Sequence, residues 1–289
     1  MTDGDTLPSG ADTGLRTRFS GLVAPGLPPD RRDRLARALG LNPADELADE
    51  PADGPADGPA GSEALALLLT DGRAAEKESL WLPPVAAWVE PASGDENGDG
   101  AAAWLAEASR TDLYVNLTTA TAHDLQLGAR LLAAIGARHP LSGHRRDDIE
   151  LALHEAVSNA LVHGNLDIGG MKELSARELE RFSRDLCDGL ADPVLSARRI
   201  VIAIRIDPPQ SSQAGLGAGP EPAGGRPDEA QEHGRALATV EITDQGAGFV
   251  PCRLERAGAS GRGLDLIGSI AEGLEIEDGG RRIRLRFRL

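Results

Sequence analysis

The chain has 289 residues, enough for one or two domains, and carries a formal charge of −16 with only 3% aromatic residues. That acidic balance lacks the basic footprint of a nucleic-acid binder, and the two cysteines, Cys187 and Cys252, have no metal-ligand spacing. No apolar run reaches the roughly 18 residues that span a bilayer, and no signal-peptide pattern opens the chain, so a cytoplasmic protein with no nucleic-acid and no membrane partner is expected.

Residues 1–62 are dominated by Gly, Pro, Asp and Ala, with the near-repeat DEPADGPADGPAG at 49–61. Such a segment has too little apolar surface to offset the entropy of ordering it, which predicts a disordered arm with one short helix at Pro29–Leu39. Residues 63–111 read as a partly ordered segment and linker. SEALALLLTDG suits a helix or a buried strand, and SLWLPPVAAWVE, with Trp81 and Trp88, either docks as an extra layer or remains an arm. Through Arg110 twenty acidic residues face nine basic ones, so most of the net charge lies in this region as a solvating run.

Regular architecture is expected from residue 112 to 289. LYVNLTT (113–119) alternates and is rich in β-formers, a first strand. Ala120–His139 has a helical period and stops at His-Pro. Asp147 and Asp148 suit the first turn of the next helix, where the dipole end is positive. Residues 165–197 read as a charged helical insert. IVIAIRI (200–206) and LATVEIT (237–243) are strands joined by a Gly/Pro-rich loop, 208–235, whose composition favours disorder. The closing GGRRIRLRFRL places Ile283, Leu285, Phe287 and Leu289 on one face and arginines on the other, as in a sheet covered on one side.

Three segments carry chemistry. In LHEAVSNALVHG, Leu153–Gly164, the residues Glu155, Asn159 and His163 recur every four positions and share one stripe of a helix. Leu153, Ala156, Val157, Ala160 and Leu161 make the opposite, apolar face. A carboxamide oxygen can take one place around Mg²⁺, and a carboxylate one turn away can accept a hydroxyl proton. On most amphipathic helices the same residues simply face solvent. In EITDQGAGF (241–249) a strand ends at Asp244 and runs into Gly246 and Gly248, which let the backbone approach a ligand. In SGRGLDLIG (260–268) a glycine-rich turn feeds a helix, offering N–H groups and a positive dipole end to phosphates.

In this order the three segments resemble the N box and the two glycine boxes of the GHKL ATP-binding superfamily. HGN at 163–165 and the compact GRGLDLI are similar to one branch, the anti-sigma-factor serine/threonine kinases of bacterial partner-switching systems. The resemblance covers roughly residues 112–289. It implies an α/β two-layer sandwich, a mixed and largely antiparallel sheet with helices on one face, with ATP and Mg²⁺ as cofactors. It assigns Mg²⁺ to Asn159, the general base to Glu155 and the adenine amino group to Asp244. It places His163, Gly246, Gly248, Ser260, Gly261, Arg262, Gly263 and Leu264 at the nucleotide. The partners it implies are a small antagonist protein, phosphorylated on Ser or Thr, a sigma factor, and a second copy docked on the open sheet face. One position departs from the pattern: Arg281 and Arg282 stand where members commonly carry Thr or Ser beside the adenine Asp. Two other readings stay open. One is the ATPase half of a histidine kinase, with His123 as phosphoacceptor. The other is a non-catalytic module that uses ATP to shape a binding surface.

Overall fold

The computed structural model describes residues 17–44, 64–68, 76–91, 100–141, 143–171, 173–209, 235–249 and 262–289. Among the described residues nine strands form one sheet. They are β1 (Phe19–Val23), β2 (Asn42–Pro43), β3 (Ala64–Leu68), β4 (Val85–Val89), β5 (Leu113–Thr118), β6 (Arg199–Asp207), β7 (Leu237–Thr243), β8 (Gly273–Glu277) and β9 (Arg282–Arg288). Their order is β2-β1-β3-β4-β5-β6-β7-β9-β8.

The sheet changes character at β5. From β2 to β5 every neighbouring pair is parallel, in a strand order common to doubly wound α/β sheets. From β5 to β8 every pair is antiparallel. β5 therefore closes a parallel set and opens the antiparallel sheet expected from residue 112 onward.

Composition misjudged the first part of this sheet. Residues 17–44, assigned to the disordered arm, supply β1, helix α1 (Pro29–Ala38) and β2. Leu22, Val23, Leu35, Ala36 and Leu41 from this stretch are buried. Residues 1–16 and 45–62 of that expected arm, and residues 210–234 of the expected loop, lie outside the described residues. The ambiguous SEALALLL run contains β3, and the tryptophan segment supplies β4. Trp81 and Trp88 stack with ring centroids 4.7 Å apart, and Trp88 Nε1 donates to the Leu80 carbonyl at 2.8 Å. The pair fills the main core instead of forming a separate layer.

Helices α3 (Thr119–Asp124), α4 (Leu127–Gly136), α5 (Gly143–Ser158) and α8 (Arg262–Ile270) pack on one face of the sheet, against Leu113, Val115, Leu117, Ile202, Val240, Ile242 and Leu285. A second cluster occupies the other face of the parallel half. There α1 and α2 (Ala101–Ala108) cover Leu22, Ala66, Ala87 and Tyr114. The one-sided covering thus holds for the antiparallel half, while the N-terminal half is covered on both faces. That is why β4, VAAWV, is buried at all five positions.

Other local differences have simple causes. The helix expected over 120–139 is two, α3 and α4, because Gln126 adopts a left-handed conformation with φ +51°. α5 begins at Gly143, so Asp147 and Asp148 lie beyond its first turn. The insert is helical as read: α6 (Ala176–Ala191) is capped by the Ser175 hydroxyl, which accepts from the Glu178 N–H, and α7 (Pro193–Ser196) follows. On the open face of β7-β9-β8, Arg282, Arg284, Arg286 and Arg288 pair with Glu241, Glu272, Glu275, Glu277 and Asp278. No helix among the described residues is long and apolar enough to cross a membrane.

Candidate nucleotide-binding site

The first motif does not end as a plain α-helix. After Ser158 the chain widens into a π-helical segment, Asn159–Asn165, a distortion that recurs at functional sites. Leu153, Ala156, Val157, Ala160 and Leu161 are buried, as the apolar face requires, while Glu155 and Asn159 are half-buried. Neither side chain forms a hydrogen bond to another described residue, so carboxylate and carboxamide keep their bonding capacity. α8 packs along α5 and is anchored by the buried Ile267. Its first turn lies so close to α5 that a methyl group on Gly263 would strike the Glu155 carboxylate. The base candidate and the phosphate-turn candidate therefore face each other, and a side chain at 263 would have to displace the carboxylate. Leu264, next along α8, is half-buried against the core.

The far end of the π segment meets the second motif. A methyl on Gly164 would sit 2.6–2.7 Å from the Asp244 carboxyl atoms, and one on Gly246 would strike the Gly164 carbonyl. Two glycines thus let the N-box helix and the Asp244 turn touch backbone to backbone. Asp244 Oδ1 accepts from the Gly246 N–H at 2.8 Å, and the Asp244 N–H donates to the Arg281 carbonyl at 3.0 Å. Burial pushes the Asp244 carboxyl above the usual carboxylate range, while the Gly246 N–H and the charges of Arg281 and Arg198 pull it back. Arg281, at the departing position, supplies a backbone acceptor and a nearby charge where a Thr or Ser hydroxyl was expected. Gly248 has φ +80° and turns the chain against the Gly279 carbonyl.

Asn165 holds these pieces in register, and the expected site set omitted it. It is fully buried. Its Nδ2 donates to the Arg199 carbonyl at 3.1 Å, and its Oδ1 accepts from the Gln245 N–H at 2.7 Å. Gln245 Oε1 in turn accepts from the Arg199 N–H at 2.8 Å. The signal was present in HGN, a polar residue closing an apolar helix, but its partners are 34 and 80 positions away.

Of the other expected residues, His163 is exposed and its Nδ1 donates to the Ile168 carbonyl at 2.6 Å, which commits the ring to the loop entering the insert. Arg262 opens α8. Ser260 and Gly261 lie outside the described residues.

A nucleotide fits what the chain offers. Burial makes Asp244 a desolvated acceptor, and α8 presents a helix N-terminus beside Glu155. Among the described residues no group of three or more His, Cys, Asp or Glu side chains could hold a metal ion. A Mg²⁺ here would take the Asn159 oxygen together with phosphate oxygens and water.

No curated protein matches the chain. The family model described as histidine kinase-like ATPase domain matches residues 118–287, more than half of the chain, from the end of β5 through β9. This is the ATP-binding module of the GHKL superfamily. The chain belongs to the histidine kinase-like ATPase domain family.

Proposed function

We propose that the protein is an ATP-dependent serine/threonine kinase of the anti-sigma type, which phosphorylates a small antagonist protein in a partner-switching circuit. The observation that carries this reading is the juxtaposition of the Glu155 carboxylate with the first turn of α8 at Gly263. A proton acceptor beside a phosphate-binding turn suits transfer to a hydroxyl. Family membership supports the nucleotide half of the reading. What precedes the domain also favours it over a histidine kinase: β1–β4 with α1 and α2 continue the sheet, and no long helical hairpin occurs among the described residues. His123 sits on the six-residue α3 beside Asp124.

In this mechanism Asp244 accepts from the adenine amino group, a donor that guanine lacks at that position. The glycine turns admit the backbone to base and sugar, and α8 directs N–H groups at the phosphates. Asn159 holds Mg²⁺, which supplies neutralising charge to the phosphate oxygens. Glu155 accepts the proton of the partner's hydroxyl as that oxygen bonds to the γ-phosphorus and the bond to the β-phosphate oxygen breaks, leaving ADP. Positioning and charge neutralisation do most of the work.

The test is incubation with γ-labelled ATP, Mg²⁺ and lysate of the source organism. Acid-stable label on a small protein supports the kinase. Acid-labile label on this chain, lost in a His123→Ala variant, means a histidine kinase. ATP binding without transfer to any protein means a non-catalytic module.

A further inference from the structure

The nucleotide site and the N-terminal strands share one chain of polar contacts, and Arg199 is its centre. Its backbone belongs to the adenine end, where the N–H donates to Gln245 Oε1 and the carbonyl accepts from Asn165 Nδ2. Its side chain reaches the other way, across the open face of the sheet. Nε donates to Asn116 Oδ1 at 2.8 Å, and Nη2 donates to the Asn116 carbonyl at 2.8 Å and to the Glu90 carbonyl. Glu90 directly follows β4. Its own carboxylate accepts from both the N–H and the hydroxyl of Thr118, each at 2.8 Å. Thr118 caps α3. The Glu90 N–H completes the set by donating to the Asn116 carbonyl at 3.0 Å.

Such a guanidinium is costly to place. Burial lowers the affinity of Arg199 for its proton, against the opposing pull of Glu90 and Tyr114. A planar fork with several directed donors offsets that cost only when its acceptors stay fixed. Fixing them requires β4 and β5 in place, and the same residue fixes Gln245 beside Asp244. Order in one place therefore favours order in the other.

We infer that Arg199 and Asn165 are positioning residues that couple adenine-nucleotide binding to the order of the N-terminal parallel strands. The inference rests on the nucleotide-binding reading of this site. Coupling of this kind is reciprocal: a nucleotide that stabilises the Asp244 turn also stabilises β4, and loosening β4 weakens the nucleotide. The N-terminal unit thereby becomes an input to the site, read out as nucleotide affinity.

The experiment uses the full chain, with ADP as probe. ADP affinity is measured by calorimetry, and amide hydrogen exchange at Val85–Glu90 and Leu113–Thr118 is followed without ADP and at saturation. In the parent, ADP slows exchange at these strands. In Arg199→Gln, affinity falls about tenfold, the order expected for lost charge-assisted bonds, and saturating ADP no longer slows exchange in β4. Asn116→Ala, which removes one partner of the fork and leaves Arg199 in place, gives the same pattern in weaker form and serves should Arg199→Gln not fold. Parental affinity, or retained protection of β4, in the folded variants overturns the coupling. A parent chain that binds no adenine nucleotide overturns the functional reading itself, and the coupling with it.

Discussion

Glu155 and Asn159 sit one turn apart, yet the roles proposed for them differ, and substitutions separate them. Glu155→Gln keeps the shape but removes the base, so phosphate transfer should fall by about 10²–10⁴-fold while ATP affinity changes little. Asn159→Ala should weaken Mg²⁺-dependent nucleotide binding and abolish transfer with it. Calorimetry and a transfer assay on the same samples distinguish the two outcomes. Loss of both binding and transfer in Glu155→Gln would make Glu155 an organiser of the site and not its base. Asp244 gives a pH signature. Its carboxyl is raised in the folded chain by burial, so the native state binds its proton more tightly than the unfolded state does. Its ionised form therefore costs stability above the raised value, and the fold regains that stability as pH falls through it. The melting temperature of the parent relative to Asp244→Asn should thus rise as pH is lowered from neutrality toward about 4. A flat or opposite difference would show that desolvation does not dominate at this carboxylate.

Between elements, the decisive contacts are glycine contacts. α5 meets α8 at Gly263, and the π segment meets the Asp244 turn at Gly164 and Gly246. Gly263→Ala places a methyl against Glu155 without touching the buried face of α8, where Ile267 packs. Transfer should drop by about 10²-fold, the effect of displacing a reacting group by roughly 1 Å, with little change in thermal stability. Undiminished transfer in this variant would show that the position of the Glu155 carboxylate beside Gly263 does not matter for transfer. Periodicity put His163 in line with Glu155 and Asn159 but gave no sign that its ring bonds the Ile168 carbonyl. Asn165 was harder still to find, because a buried carboxamide is defined by its partners, and those lie on β6 and after β7.

For the whole molecule, sequence reading reached the antiparallel half and missed the parallel one. The strands of residues 112–289 alternate or carry β-branched runs, and the three motifs locate the turns between them. The parallel strands give weaker signals: FSGLV and ALALL are five residues each, with Gly21, Leu22 and Val23 buried in succession and Ala66 beside Leu67, not in alternation, and β1 is embedded in Gly/Pro-rich composition. The structure corrects the expected disorder of the arm at residues 17–44, which supply β1, α1 and β2. Leu22 is fully buried between α1 and the sheet, so Leu22→Ala should cost about 2–5 kcal/mol in chemical denaturation. A cost below about 0.5 kcal/mol, typical of surface sites, would return this segment to the status of an arm.

Joining these scales is the claim that three separated segments build one adenine-nucleotide site around Asp244. Its most direct measurement is a calorimetric titration of ATP and of GTP into the parent chain and into Asp244→Asn. The parent should bind ATP well above GTP, and Asp244→Asn should weaken ATP binding by about 1–3 kcal/mol, the cost of a damaged buried hydrogen bond. Equal affinity of the parent for ATP and GTP, or unchanged ATP affinity in Asp244→Asn, would contradict the claim.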